Sequence, residues 1–227
     1  MIPLRDDNPT TLTPFVTIGL IVLNCLVFLY QVSLGPQEEE FVLSLAAIPA
    51  DLFHQRPIVG HPAVPPWLTV FTSMFLHANI LHLGGNMLYL WVFGNNIEDV
   101  MGHGRFFLFF LLVGGMAAFT HALVAPSSTL PMIGASGAIS GVLGAYVVLF
   151  PHVSVQVLIP IGIFPYIVRV SAIIVLGLWI VVQILNAIFD FGGVEGGVAW
   201  FAHVGGFIAG FVLIKLFARP HAVRSAR

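Results

Sequence analysis

Charge is what this sequence lacks most. Only 8% of its 227 residues are Asp, Glu, Lys or Arg. A soluble domain carries about 25%, so the chain does not have the groups to solvate a globular surface. Its net charge of -2 offers no basic face, and nucleic acid is excluded as a partner. Cysteine is nearly absent. With Cys25 alone, an intrachain disulfide and cysteine-pair redox chemistry are ruled out. Metal-ligand spacing is also missing: His-Glu-x-x-His does not occur among the nine histidines. His77 and His82 diverge by about 140° around a helix. No metal or other cofactor is expected. No charged side chain lies deep within an apolar run, which argues against an ion-coupled transporter.

What is present is apolar. Hydrophobic residues make up 58%, the mean hydropathy is +1.00, and 23 glycines suit helices that pack closely in lipid. An all-α polytopic membrane protein is expected. A crossing needs about 20 apolar residues, and six such stretches can be marked: Pro14 to Leu34, Ala78 to Gly94, Phe106 to Val124, Met132 to Phe150, Ser171 to Phe189 and Val198 to Phe217. The organisation read from them is an N-terminal segment 1–13, a membrane domain 14–218 and a tail 219–227. No small-residue cleavage site follows the first span, so it is expected to stay as an anchor.

Orientation follows from the basic residues. With both termini in the cytoplasm, seven of the eight fall inside: Arg5, Arg105, Arg169, Lys215, Arg219, Arg224 and Arg227. Arg56 alone is outside, together with six of the ten acids, among them Glu38, Glu39, Glu40, Asp51, Asp190 and Glu195. The long first outer loop holds apolar pieces such as Phe41 to Phe53, read as lying in the outer interface, with Trp67 as an anchor. Gln156 to Ile167, broken by Pro160 and Pro165, is read as an inner interfacial loop. The loop from Asp190 to Gly197, which contains four glycines, and the outer end of span five are read as a mobile cover.

Polar groups inside a span face the protein interior and mark function by default. Here they are His82 and Asn86 in span two, Ser136 in span four and His203 in span six. Even-numbered spans run from outside to inside, so all four residues share one level below the outer surface. Ser136, within Gly134-Ala135-Ser136-Gly137, stands in the opening turn of a helix that follows Pro131, where free N–H groups favour a developing oxyanion. Gly137, Gly141 and Gly144 make one smooth stripe, and Gly206 and Gly210 beyond His203 make another. Backbone-to-backbone packing along them sets the His203 imidazole against Ser136. A histidine within reach is the usual base for a serine nucleophile. No carboxylate occurs in spans four or six, so a Ser-His dyad is expected. His82 and Asn86, four apart on one face, are candidate oxyanion donors beside the Ser136 N–H. Ser140 is a competing nucleophile, one turn deeper.

Gly134-Ala135-Ser136-Gly137, then His203 with Gly206 and Gly210, and His82-x-x-x-Asn86 upstream, together resemble the rhomboid intramembrane serine proteases. Six spans, the long first outer loop and the Glu98, Gly102, Arg105 cluster extend the likeness from Pro14 to Phe217. The resemblance implies a six-transmembrane-helix rhomboid-like bundle, a Ser136 nucleophile, a His203 base, and His82 and Asn86 beside the oxyanion. It further implies that the partners are the lipid bilayer and transmembrane protein substrates, cut near their outer ends and often after a small residue. A bacterial plasma membrane, with both termini cytoplasmic, is the expected location. The alternative is a rhomboid-like protein that holds membrane helices without cutting them. Members of that kind typically lack the serine or the histidine, and both are present. Two positions depart from the family pattern. Trp67-Leu68 stands where many members have Trp-Arg, and Ser140 where many have an aromatic that stacks on the histidine. Trp200 and Tyr146 are the candidates for orienting His203 instead.

Overall fold

The computed structural model describes residues 1–54, 63–162, 164–189 and 198–219. The charged positions Arg56, Asp190, Glu195, Arg224 and Arg227 and the loop 190–197 lie outside the described residues.

Strand β1 (Ile2–Asp6) comes first, followed by α1 (Phe15–Ser33). The first connection holds α2 (Glu38–Leu45), α3 (Pro49–His54), α4 (Pro66–Thr72) and a 3-10 turn, Ser73–Phe75. Then α5 (Ile80–Tyr89), a π-helical stretch Leu90–Gly94 and α6 (Asn95–Met101) run on without interruption. They lead to α7 (His103–Val124), α8 (Ser136–Leu149), β2 (Ser154–Ile161), β3 (Phe164–Ser171), α9 (Ala172–Phe189) and α10 (Trp200–Phe217). Among the described residues four helices, α1, α7, α9 and α10, are long and apolar enough to cross a membrane. The chain is an integral, multi-pass membrane protein.

Helix α8 has only 14 residues. At 1.5 Å per residue it is about 21 Å long, against roughly 30 Å of hydrocarbon. It is also the centre of the bundle, buried continuously from Ala138 to Tyr146. Phe93, Phe106, Phe109 and Phe110, all fully buried, form one core cluster with Leu143 of α8. Against α10 the contact is backbone to backbone. A β-carbon at Gly206 would run into the Gly137 carbonyl, and one at Gly210 into the Gly141 carbonyl. The glycine stripes therefore pair as their spacing predicts.

The end of the bundle that carries the N-terminus is tied by carboxylates. Glu98, fully buried, accepts from Val16 N at 2.9 Å, and from Thr17 N and Thr17 Oγ1 at 2.7 Å each, and so caps α1 where Pro14 offers no side-chain cap. Asp99 holds Thr11 and Leu12 in the same way. Gly102, at φ +79°, makes the turn into α7 under the Arg219 guanidinium. Of the Glu98, Gly102, Arg105 cluster, Arg105 is the exposed member.

Three expectations need correction. The chain is mostly helical but not all-α: β1, β2 and β3 form an antiparallel sheet in that order. Gln156 to Ile167 is a hairpin, with Gln156 paired to Arg169 and Pro160 to Pro165. The prolines are tolerated because β1 reaches only to Leu158, so Pro160 lies where β2 has a neighbour on one side alone. Val155 and Val157 alternate inward, fully buried, which seats the sheet on the bundle. Second, span four was expected to begin at Met132, whereas the helix begins at Ser136. The preceding residues are extended and paired to the first loop, with Met132 N donating to Ala47 O at 2.8 Å and Gly134 N to Ser73 O at 2.8 Å. Third, the apolar pieces of that loop are not laid out on the protein surface: Ala46, Ala47, Ile48 and Ala50 are buried in protein, while Trp67 is 64% exposed.

Candidate active site

The extended residues before α8 end at Gly134, whose φ of +114° strongly favours glycine. They deliver Ser136 to the first position of a helix that has no side-chain cap and no acidic residue in its first turn. The intrahelical ladder opens with Ile139 N donating to Ala135 O at 2.9 Å. The N–H groups of Ser136, Gly137 and Ala138 thus precede the first intrahelical donor and form the positive end of a buried helix dipole.

Across the glycine seam, His203 of α10 places Nε2 2.8 Å from Ser136 Oγ. Its Nδ1 lies 2.8 Å from Gln183 Oε1 on α9. Two indoles flank the ring, Trp179 and Trp200, each with its centroid 5.9 Å away. Trp200 is where the sequence suggested. Tyr146 is not: its hydroxyl donates to Asp6 Oδ2 at 2.5 Å, at the far end of α8. There Asn96 Nδ2 also donates to Asp6, at 2.8 Å. Burial pushes the Asp6 carboxyl above its ordinary value, against the lowering effect of the Tyr146 bond.

His82 sits over Gly134, where a β-carbon would come within 2.7 Å of its Cε1 and 2.8 Å of its Nε2. Its Nδ1 accepts a long hydrogen bond from Ala78 N at 3.4 Å, which leaves the proton on Nε2, the nitrogen nearer Gly134. Asn86 is buried one turn further along, and its Nδ2 donates to His82 O at 2.8 Å. An amide nitrogen has two N–H groups, so one remains after this bond. Ser136, His203 and His82 are therefore brought together at one point, with Asn86 one turn along α5 from His82.

Sequence reasoning passed over several neighbours. Gln183 is one. His77 is another: fully buried, with neither ring nitrogen hydrogen-bonded, it meets His82 edge to face at 5.1 Å. Its backbone is clamped by Gln31 of α1, which donates to His77 O at 2.8 Å and accepts from His77 N at 3.3 Å. Both glutamines are strongly polar residues within apolar spans, the signal that singled out His82 and His203. Beside Ser136 a recess with about 40 Å³ of water-accessible space is lined by Ser73, Met74, Gly114, Gly137 and Ala202 among others. That is room for about three waters or one small side chain.

The family model described as the Rhomboid domain matches residues 65–220. Rhomboid protease GluP of Bacillus subtilis is 29% identical over 218 residues, covering 96% of this chain and 37% of that protein. Rhomboid protease AarA of Providencia stuartii is 28% identical, covering 92% of this chain and 75% of that protein. Rhomboid protein 1, mitochondrial, of Saccharomyces cerevisiae is 35% identical over 92 residues, 39% of this chain and 27% of that protein. The chain thus spans well under half the length of two of these three relatives.

Proposed function

The chain belongs to the rhomboid family, and from that premise we propose that it is an intramembrane serine endopeptidase, cutting transmembrane segments of other proteins with a Ser136–His203 dyad. The observation that carries this reading is the 2.8 Å approach of His203 Nε2 to Ser136 Oγ at the start of a buried helix. His203 takes the hydroxyl proton as Oγ attacks a peptide carbonyl, then gives it to the leaving amine. The oxyanion forms against the Ser136 N–H and the His82 Nε2–H, with the remaining Asn86 N–H as a further donor. Water, deprotonated by His203 in turn, attacks the acyl carbonyl, and His203 returns the proton to Ser136 Oγ as the acid product leaves.

In this reading the six helical stretches over 14–218 all cross the bilayer, flanked by cytoplasmic segments 1–13 and 219–227, in a bacterial plasma membrane. The brevity of α8 then puts Ser136 several ångströms below the outer surface. The small-walled recess suits a substrate with a small side chain before the cut. Tyr89 of α5 and Trp179 of α9 meet with ring centroids 6.4 Å apart, and parting them is the proposed way in for a substrate helix. The test is cleavage of a single-span substrate by the purified protein in liposomes. Cleavage is expected to survive a strong chelator, to fall on acidification as His203 is protonated, and to vanish in Ser136→Ala and His203→Ala. Loss on chelation that zinc restores would contradict the serine mechanism.

A further inference from the structure

The proposed Ser136–His203 dyad leaves the second nitrogen of the base unassigned, and in this chain it is occupied. Gln183 Oε1 lies 2.8 Å from His203 Nδ1, and Gln183 is 7% exposed in the middle of α9. The direction of the amide is fixed by its other end, where Nε2 donates to Trp179 O at 3.3 Å. Reversing the amide would set its carbonyl against the Trp179 carbonyl. With Oε1 toward the ring, the contact is a hydrogen bond only if Nδ1 carries the proton, because an amide oxygen accepts and never donates. Nε2 is then the bare nitrogen, and it is Nε2 that faces Ser136 Oγ. One hydrogen bond on α9 therefore selects the tautomer able to take the serine proton.

We infer that Gln183 is a positioning residue for the reaction, the third member of a Ser136–His203–Gln183 relay in which α9 sets the tautomer and the orientation of the base. The inference rests on the proteolytic reading of Ser136 and His203. The proton passes from Ser136 Oγ to His203 Nε2 and back to the leaving amine, while the Nδ1 proton stays on His203 throughout. Gln183 supplies a dipole that strengthens as the imidazolium forms, without itself gaining a proton. Trp179, one turn before Gln183, lies against the same ring, so α9 holds both the edge and the side of the imidazole. A sheared or displaced α9 withdraws both supports together.

The test compares Gln183→Met and Gln183→Glu in the liposome cleavage assay, with Ser136→Ala alongside. The titratable groups bearing on His203 are His82 on α5 and His121 on α7, unchanged in both variants. Gln183→Met keeps the length and loses the acceptor. Its kcat is expected to fall roughly 10- to 100-fold with KM little changed, a smaller loss than for a carboxylate orienting group because an amide stabilises the imidazolium less. Gln183→Glu restores an acceptor and adds a negative charge. Most of kcat is expected to return, and the acid limb of the pH profile to move to higher pH, because the anion favours the protonated ring. A merely structural tie between helices would lower the melting temperature and leave that limb in place. Wild-type kcat in Gln183→Met together with superimposed pH profiles for wild type and Gln183→Glu, while Ser136→Ala is inert, overturns the inference and leaves the serine mechanism standing. If Gln183→Met does not fold, the position of the acid limb in Gln183→Glu decides alone. Cleavage by Ser136→Ala equal to wild type overturns both.

Discussion

Ser140 donates its hydroxyl to the carbonyl oxygen of Ser136, one turn earlier on α8, at 2.6 Å. The side chain is fully buried, so this bond satisfies a hydroxyl that would otherwise have no partner and engages its proton within α8. Ser140→Ala should retain appreciable cleavage and lose about 1 kcal/mol of stability at most. Ser136→Ala should fold and be inert. An active Ser136→Ala with a dead Ser140→Ala reverses the assignment of the nucleophile.

His82 and Asn86 separate two readings by size of effect. As structural residues of α5 alone, each costs roughly 1 kcal/mol when truncated and catalysis by the folded fraction is unchanged. As oxyanion donors, their loss lowers kcat by ~100-fold or more with KM little altered. The double alanine variant should therefore keep its fold and lose turnover far beyond what its melting temperature accounts for. Wild-type turnover per folded molecule would return both residues to packing.

The four long apolar helices, the seam of glycines and the meeting of Ser136 with His203 were legible because each rests on a pattern local in sequence. Spans are runs of about 20 apolar residues, and polar side chains within them turn inward. The sheet was not legible. Its buried alternation amounts to Val155 and Val157, two prolines interrupt it, and its partner β1 lies at the other end of the chain. Gln183 stood in plain view, but α9 also carries Asn186, and only the packing of α9 on α10 shows which of the two turns toward His203. The true start of α8 was hidden for a related reason: Met132 and Ile133 are apolar enough to read as membrane span, yet Met132 and Gly134 pair with the first loop.

His77 predicts a pH dependence of stability. Burial, and then the neighbouring His82, hold its imidazole down to about 4 from an ordinary 6.5. Between these values the unfolded chain binds a proton that the folded one refuses. Stability is therefore complete above about pH 6.5 and is lost as pH falls toward 4, by roughly 3 kcal/mol from this group. His77→Asn should flatten the fall of melting temperature across that window. Equal slopes in variant and wild type would remove His77 as the cause.

Topology is open to direct chemical test. In a Cys25→Ala background, a cysteine at Glu39 should react with an impermeant thiol reagent added to intact cells. One at Ile167, exposed on β3, should react only after the membrane is opened. The opposite pattern would invert the orientation drawn from the basic residues and place the site on the inner side.

The most direct test of the Ser136–His203 assignment is covalent labelling of the detergent-solubilised protein by a fluorophosphonate, which reports an activated serine without any choice of substrate. The wild type should be labelled at Ser136. Ser136→Ala and His203→Ala should not be labelled, although both remain folded by melting temperature. Labelling that persists in folded His203→Ala, or a wild type that takes no label, would contradict activation of Ser136 by His203.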